Sequence, residues 1–267
     1  MKNPKRDPVG VAAIIPARGG EQSIPWKNLQ KLGDKTLLQW AIEVAFAAET
    51  IDVVLVSTED EHIAEEAKQA GALVAPRPQV FSQPTSGDGG FYHHAVAWMR
   101  DEHGWKPELL VNLRPTSPLR FASDIDAMVR YMQEHEEADG IKSVIPTPLH
   151  PYKMWQFTAA GMKPGTAGEL MPVFDNAYRR SHGPDQPRQK VQEMFPIFFQ
   201  DGQVDITRRM FILRPECLEL DNVWGEHLHG YVLDPRTSTD LDTPDDFMRA
   251  EKLYEEIRQE RGRRDSR

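Results

Sequence analysis

An α/β fold built on a mostly parallel sheet is predicted by three features of this 267-residue chain. Short, continuous apolar runs recur near residues 9, 52 and 108, stretches with apolar residues at helical spacing lie between them, and Gly, Pro or polar clusters mark the transitions. Strand and helix in alternation require crossovers that leave successive strands parallel.

Val9 to Ile15 is a β-branched apolar run bounded by Pro and Gly, as expected of a strand buried on both faces. Leu37 to Ala48 follows with helical spacing, then Asp52 to Ser57 as a second strand and Glu61 to Ala70 as a second helix. Gly89 to Arg100 reads as a third helix and Glu108 to Leu113 as a third buried strand. From about Thr147 to Lys190 the alternation stops in favour of Pro, Gly, His and aromatic residues, which predicts an inserted lobe or arm over 147–190. Gln203 to Thr207 and His229 to Leu233 return to the sheet. Thr243 at the cap, Pro244 in the first turn and Asp245 and Asp246 after it open a last amphipathic helix, with RQERGRRDSR as a frayed tail.

Length favours one main domain over 1–267, able to bury a substantial core without disulfides. Cys217 is the only cysteine, which fits a reducing, cytoplasmic setting, and its surroundings read as a structural turn. The apolar part of the N-terminal segment is too short for a signal peptide, and no run approaches the about 18 apolar residues of a membrane span. A formal net charge of −9 argues against nucleic acid as a partner and leaves local basic clusters to bind small anions.

In such sheets ligands sit beyond the carboxyl ends of the strands, so Pro16 to Asn28, Thr58 to Asp60 and Arg114 to Arg120 are where chemistry is expected. Arg18, Gly19 and Gly20 follow the first strand, and Lys27 and Asn28 follow a Pro25-Trp26 turn. Glycine lets backbone N–H groups approach phosphate oxygens while Arg and Lys neutralise them, which suits a triphosphate, although a structural turn has the same composition. Asp240 and Asp242 at i and i+2 project to one side of an extended segment and make either a Mg²⁺ seat or an acidic surface loop. LRPTSPLR, residues 113–120, carries two guanidiniums on a rigid loop able to clamp a carboxylate or phosphate. Arg188 with Gln189 is an anion contact or an exposed turn. Glu59-Asp60-Glu61 reads as dipole chemistry at a helix start, and Phe195 to Phe199 with the Trp155 region as core or subunit interface. No histidine pair finds a third ligand in sequence.

ARGGEQSIPWKN, Arg77-Pro78, LRPTSPLR, QPRQ and TDLDTPDD, in this order, resemble the acylneuraminate cytidylyltransferase family from about Val11 to the terminal helix. The resemblance implies a Rossmann-like, GT-A-like nucleotidyltransferase core with a small inserted dimerisation arm, and hence a homodimer. It implies CTP and an acidic 2-keto sugar as substrates, Arg18 and Lys27 on the triphosphate with Gly19 and Gly20, and Asn28 on the nucleoside. Arg77 and Thr85 would read the cytosine end. Arg114 and Arg188, with Gln189 and Asp205 on the same side, would face the sugar acid. Asp240 and Asp242 would hold Mg²⁺, and Asp240 or a water would take the acceptor's proton. The chain departs from the family at Gln22, where relatives commonly carry Lys, at Arg114, where they often carry Gln, and over residues 200–206. These departures leave open another base or another acceptor, such as Kdo, a sugar phosphate or a phosphonate. A metal-dependent glycosyltransferase would also use an Asp-x-Asp pair, but it would leave the basic loop without a triphosphate.

Overall fold

Period-two alternation decides how the first strand is used. In β1 (Val11–Pro16) Val11, Ala13 and Ile15 join one apolar cluster while Ala12 and Ile14 join another, so the strand is covered on both faces. The computed structural model describes residues 2–20, 24–147, 149–151, 154–158, 167–168, 170–173 and 196–264. The chain divides into two compact units, Met1–Val144 with Gln200–Arg267, and Ile145–Phe199.

The larger unit places β1, β4 (Val53–Thr58), β5 (Leu73–Pro76), β6 (Leu109–Asn112), β7 (Gly140–Pro146), β10 (Phe198–Arg208) and β11 (Leu228–Val232) in one seven-stranded sheet, in the order β11-β7-β10-β6-β1-β4-β5. A separate short hairpin is formed by β2 (Lys31–Leu32) and β3 (Lys35–Thr36). β1 pairs in parallel with β4 and β6, β4 with β5 and β11 with β7, whereas β10 runs antiparallel to β6 with Asp205 opposite Asn112. The expected mostly parallel sheet is therefore observed.

The first two crossover helices begin where the sequence offers a cap. Thr36 and Gln39 form a reciprocal capping box at α1 (Leu37–Ala47), and the Asp60 carboxylate accepts from the Ile63 N–H at 3.0 Å to start α2 (Glu61–Gln69). α3 (Asp88–His103) ends on Gly104, which has φ +71°. α4 (Ala122–Glu134) packs Ile125, Met128, Val129 and Met132 on the same core as Val54 and Val111. Two short helices, α5 (Arg209–Ile212) and α6 (Glu216–Glu219), carry Ile212 and Cys217 into the opposite cluster with α3. Burial pushes the Cys217 thiol up to about 11, as suits an inert core sulfur. α7 (Pro244–Arg264) starts as expected: the Thr243 hydroxyl accepts from the Asp246 N–H, and the Asp246 carboxylate accepts from the Thr243 N–H at 2.8 Å.

Several elements go beyond the sequence reading. β5, α4 and β7 lie in stretches that were not assigned, and α7 continues through Arg264 where a frayed tail was expected. In the smaller unit, β8 (Trp155–Phe157) and β9 (Leu170–Pro172) pair antiparallel, so part of the supposedly irregular segment is a hairpin. Phe157, Met171 and Val173 are exposed there, as are Phe198 and Phe199, which therefore are not core within one chain.

Candidate active site

The segments that follow β1, β4, β5 and β6 converge at the carboxyl edge of the sheet. After β1 the chain stays pinned to its neighbour, the Ala17 N–H donating to the Ser57 carbonyl at 3.1 Å, and then turns through Arg18, Gly19 and Gly20. A Cβ on Gly19 would come within 2.6 Å of an Asp60 carboxylate oxygen, so close approach rather than flexibility requires glycine there. Gly20, by contrast, has φ +85°. The Asn28 side-chain amide donates to the Arg18 carbonyl at 2.9 Å and so ties the two ends of the basic loop together. Gln22 lies outside the described residues.

Lys27 and Asn28 are both buried, in a single 3₁₀ turn. The Lys27 ammonium reaches 215 residues along the chain to donate to Asp242 at 2.6 Å. Asp240 and Asp242 are held by the residue between them. Leu241 is fully buried with Leu119, Phe121 and Tyr254, and its N–H donates to the Thr116 carbonyl at 3.0 Å, which leaves the flanking carboxylates on the solvent side.

Asp240 is solvent-accessible, yet desolvation by surrounding protein, followed by the charge of Asp242, raises its pKa above the ordinary carboxylate value; the Thr116 hydroxyl and Lys27 act the other way. Two apposed carboxylates in mutual repulsion fit a divalent cation. Among the described residues no group of three or more His, Cys, Asp or Glu side chains could hold a metal, so the remaining ligands would have to come from water and substrate phosphates, as Mg²⁺ prefers. In the metal-free protein, carboxyl ¹³C titration of Asp240 should give a midpoint above 3.8, and Asp242→Asn should move it down because a like charge is removed. An unchanged or higher midpoint in that variant would dissociate the two aspartates.

A cleft of about 300 Å³ is walled by Arg18, Lys27, Asn28, Arg77, Asp88 and Arg114 among others. Another cavity, of about 230 Å³ beside Trp40, Phe121 and Tyr254, is better enclosed, but its two cations are already engaged, Lys35 with Glu43 of the same wall and Arg120 with backbone carbonyls, so it does not suit a triphosphate. Arg77 is buried and donates to Glu59 at 2.9 Å. Thr85 is exposed beside the cleft; its neighbours Gln83, Pro84 and Ser86 line the wall. Arg188 and Gln189 lie outside the described residues.

The two guanidiniums of LRPTSPLR behave differently from one another. Arg120 is turned into the protein, where it donates to the carbonyls of Ser117 and Arg114 and folds the loop upon itself. Of the two guanidiniums on the loop, Arg114 is the one that lines the cleft. Arg114 does clamp carboxylates, but they belong to the chain: Asp205 and Asp88, each at 2.6 Å. Desolvation opposes its charge, and the two carboxylates more than offset this, raising its pKa still further.

Asp88, which lines the cleft, and Glu59, which supports its walls from behind, were missed by sequence reasoning. Asp60 is the cap that the acidic run predicted, whereas the Glu59 carboxylate accepts from the Gly19 N–H, Arg77 and Ser82. Its only sequence signal is position, immediately after a strand end.

A profile of the cytidylyltransferase family matches residues 12–259, which includes every described residue of this cleft. The chain belongs to the cytidylyltransferase family. Among curated relatives, it is 27% identical over 245 residues to an N-acylneuraminate cytidylyltransferase of Escherichia coli O18:K1:H7, an alignment covering 89% of this chain and 50% of that protein. It is 24% identical to the post-translational flagellin modification protein B of Campylobacter coli, over 92% and 95% of the two chains. The chain thus spans about half the length of the acylneuraminate relatives it matches. In fold, this cytidylyltransferase-family chain is similar to CMP:2-keto-3-deoxy-manno-octonic acid synthetase solved with CTP, at TM-score 0.64 and 15% identity, covering 92% of this chain and 99% of that one. The resemblance drawn from the motifs is borne out at the level of family and fold. No helix among the described residues is long and apolar enough to cross a membrane.

Proposed function

We propose that the protein transfers CMP from CTP to the anomeric hydroxyl of a nonulosonic 2-keto sugar acid and releases pyrophosphate. The observation that carries this reading is that Lys27, which lines the cleft with Arg18, donates to Asp242 of the Asp240–Asp242 pair. Cations for a polyphosphate and carboxylates for a divalent ion are then adjacent, as nucleotidyl transfer requires. The names of the acylneuraminate relatives supply the acceptor class.

Arg18 and Lys27 bind the triphosphate and oppose the charge that grows on the leaving pyrophosphate, with the Gly19 and Gly20 backbone allowing close approach. Asn28, held against the Arg18 carbonyl, positions the nucleoside, and Arg77 with the 83–86 wall meets the base. Arg114 faces the sugar acid, joined by Arg188 and Gln189, whereas Asp205, expected on the same side, is fully buried and acts by holding Arg114. Asp240 accepts the proton of the attacking hydroxyl. Mg²⁺ on Asp240 and Asp242 would neutralise phosphate oxygens as a Lewis acid. Positioning of the two substrates supplies much of the remaining acceleration. The same reading takes 147–190 as a dimerisation arm in a cytoplasmic homodimer, supported by the exposed apolar side chains of the smaller unit.

The test is pyrophosphate release with Mg²⁺ across the four common nucleoside triphosphates, crossed with nonulosonic acids, Kdo, sugar phosphates and phosphonates. Release is expected with CTP and a nonulosonic acid. Release that depends on no keto acid in the panel would overturn the acceptor class, and preference for another triphosphate would overturn the base.

A further inference from the structure

Glu59 joins segments that belong to three different strand ends. One carboxylate oxygen accepts from the Gly19 N–H at 2.8 Å, in the loop after β1; the other accepts from Arg77 at 2.9 Å, after β5, and from the Ser82 hydroxyl at 2.8 Å, in the turn over Gln79–Phe81 and Ser82 that leads to α3. Glu59 itself follows β4, the strand between β1 and β5 in the sheet. The side chain is only 9% exposed and that of Arg77 only 4%, so the pair is shielded from water. A further link crosses the same gap, from Arg18 to the Gln83 carbonyl at 3.2 Å.

We propose that Glu59 is a positioning residue that fixes the distance between the phosphate loop at Arg18–Gly20 and the base-side wall at Arg77–Gln83, and thereby sets nucleotide affinity. The assignment rests on the nucleotide reading of the cleft. Glu59 does not face the cleft; it acts through Gly19 and Arg77, both of which the reading places against the nucleotide. With neither end held, a bound triphosphate would have to order the loop and the wall itself, and that ordering would be subtracted from its affinity. The carboxylate is suited to the task in charge as well as length. Burial works against its ionisation, but the Ser82 and Arg77 hydrogen bonds outweigh burial and hold its pKa below the ordinary glutamate value, so it remains an acceptor at neutral pH. All of its recorded partners are donors, which a neutral amide satisfies on one side only.

Glu59→Gln keeps the length and removes the charge; Glu59→Asp keeps the charge and shortens the span by one methylene, so that one end of the bridge is released. Both variants should raise KM for CTP, Glu59→Gln by about tenfold, as for loss of charge-assisted hydrogen bonds, with kcat and the acceptor KM within about twofold of wild type. Hydrogen exchange measured on the same proteins should accelerate over residues 18–20 and 79–83 but not over β4. A CTP KM within about twofold of wild type in Glu59→Gln, or unaltered exchange in both segments, would overturn the proposal. So would equal losses in kcat and in both KM values, because they would report general loss of structure. If the wild-type protein releases no pyrophosphate from CTP, the proposed function falls while the exchange measurement still decides whether the bridge exists.

Discussion

Asp242→Asn is expected to lower CTP-dependent pyrophosphate release by about 100-fold and to raise the Mg²⁺ concentration needed for half-maximal rate, with the melting temperature moving by no more than roughly 2 °C. The contrast follows from where the residue sits. Its side chain is 63% exposed, so the fold gains little from it, whereas the Lys27 side chain whose ammonium it receives is only 8% exposed. Asp242 therefore serves two parties: it orients a buried cation toward the cleft and provides half of the carboxylate pair. An asparagine still accepts a hydrogen bond from Lys27, so the local structure persists, but the pair loses a charge that a divalent ion requires. A loss of about 100-fold corresponds to roughly 3 kcal/mol of transition-state stabilisation, within the several kcal/mol a catalytic metal supplies. Wild-type turnover in this variant would remove Asp242 from the mechanism, and an equal fall in stability would make it a structural residue. Lys27→Met separates the two parts of the argument: turnover should fall while the Mg²⁺ requirement changes little.

The continuous apolar runs that become β1, β4 and β6 were legible because central parallel strands must be apolar on both faces, and VAAII, VVLV and LLV have that pattern. The edges of the sheet were harder to read. β5, LVAP, is four residues ending on a proline and was not read, whereas β11, LHGYV, was read over His229 to Leu233 although it exposes Leu228 and Val232 and so lacks the doubly apolar signature. α4 was unread in part because it begins after Phe121 with no side-chain cap. Within the site, Arg18, Lys27 and Arg114 were found by their position on loops after strands, and Asp240 and Asp242 by their i, i+2 spacing. What local sequence does not carry is the partner of each. Lys27 meets Asp242 across 215 residues, Arg114 meets Asp205 across 91, and Glu59 meets Gly19, Arg77 and Ser82 across three loops. Arg114 and Arg120 are six residues apart in one motif, yet one faces the cleft and the other holds up the loop beneath it. Pairing across the fold decided these roles.

Arg114→Met should destabilise the protein by about 3 kcal/mol in urea unfolding, the largest stability loss expected from a cleft residue, and should raise the acceptor KM with little change in the CTP KM. Asp205 is fully buried on β10, and Arg114 donates directly to one of its oxygens, so truncating the arginine leaves a carboxylate in the protein interior without that counter-charge. Asp88 is 37% exposed and loses less, because water replaces the bond. The two consequences of Arg114→Met separate in a double-mutant cycle. Asp205→Asn on the Arg114→Met background removes the stranded charge, so the double variant should be more stable than Arg114→Met alone. Stability should return in part, whereas acceptor affinity should not, because the cation proposed to face the sugar acid is still missing. If the two changes were additive in stability, the Arg114–Asp205 pair would not be energetically coupled despite its 2.6 Å separation. If acceptor KM recovered along with stability, Arg114 would act on the acceptor only by supporting β10 and α3, and the group that recognises the sugar acid would have to be another side chain of the cleft.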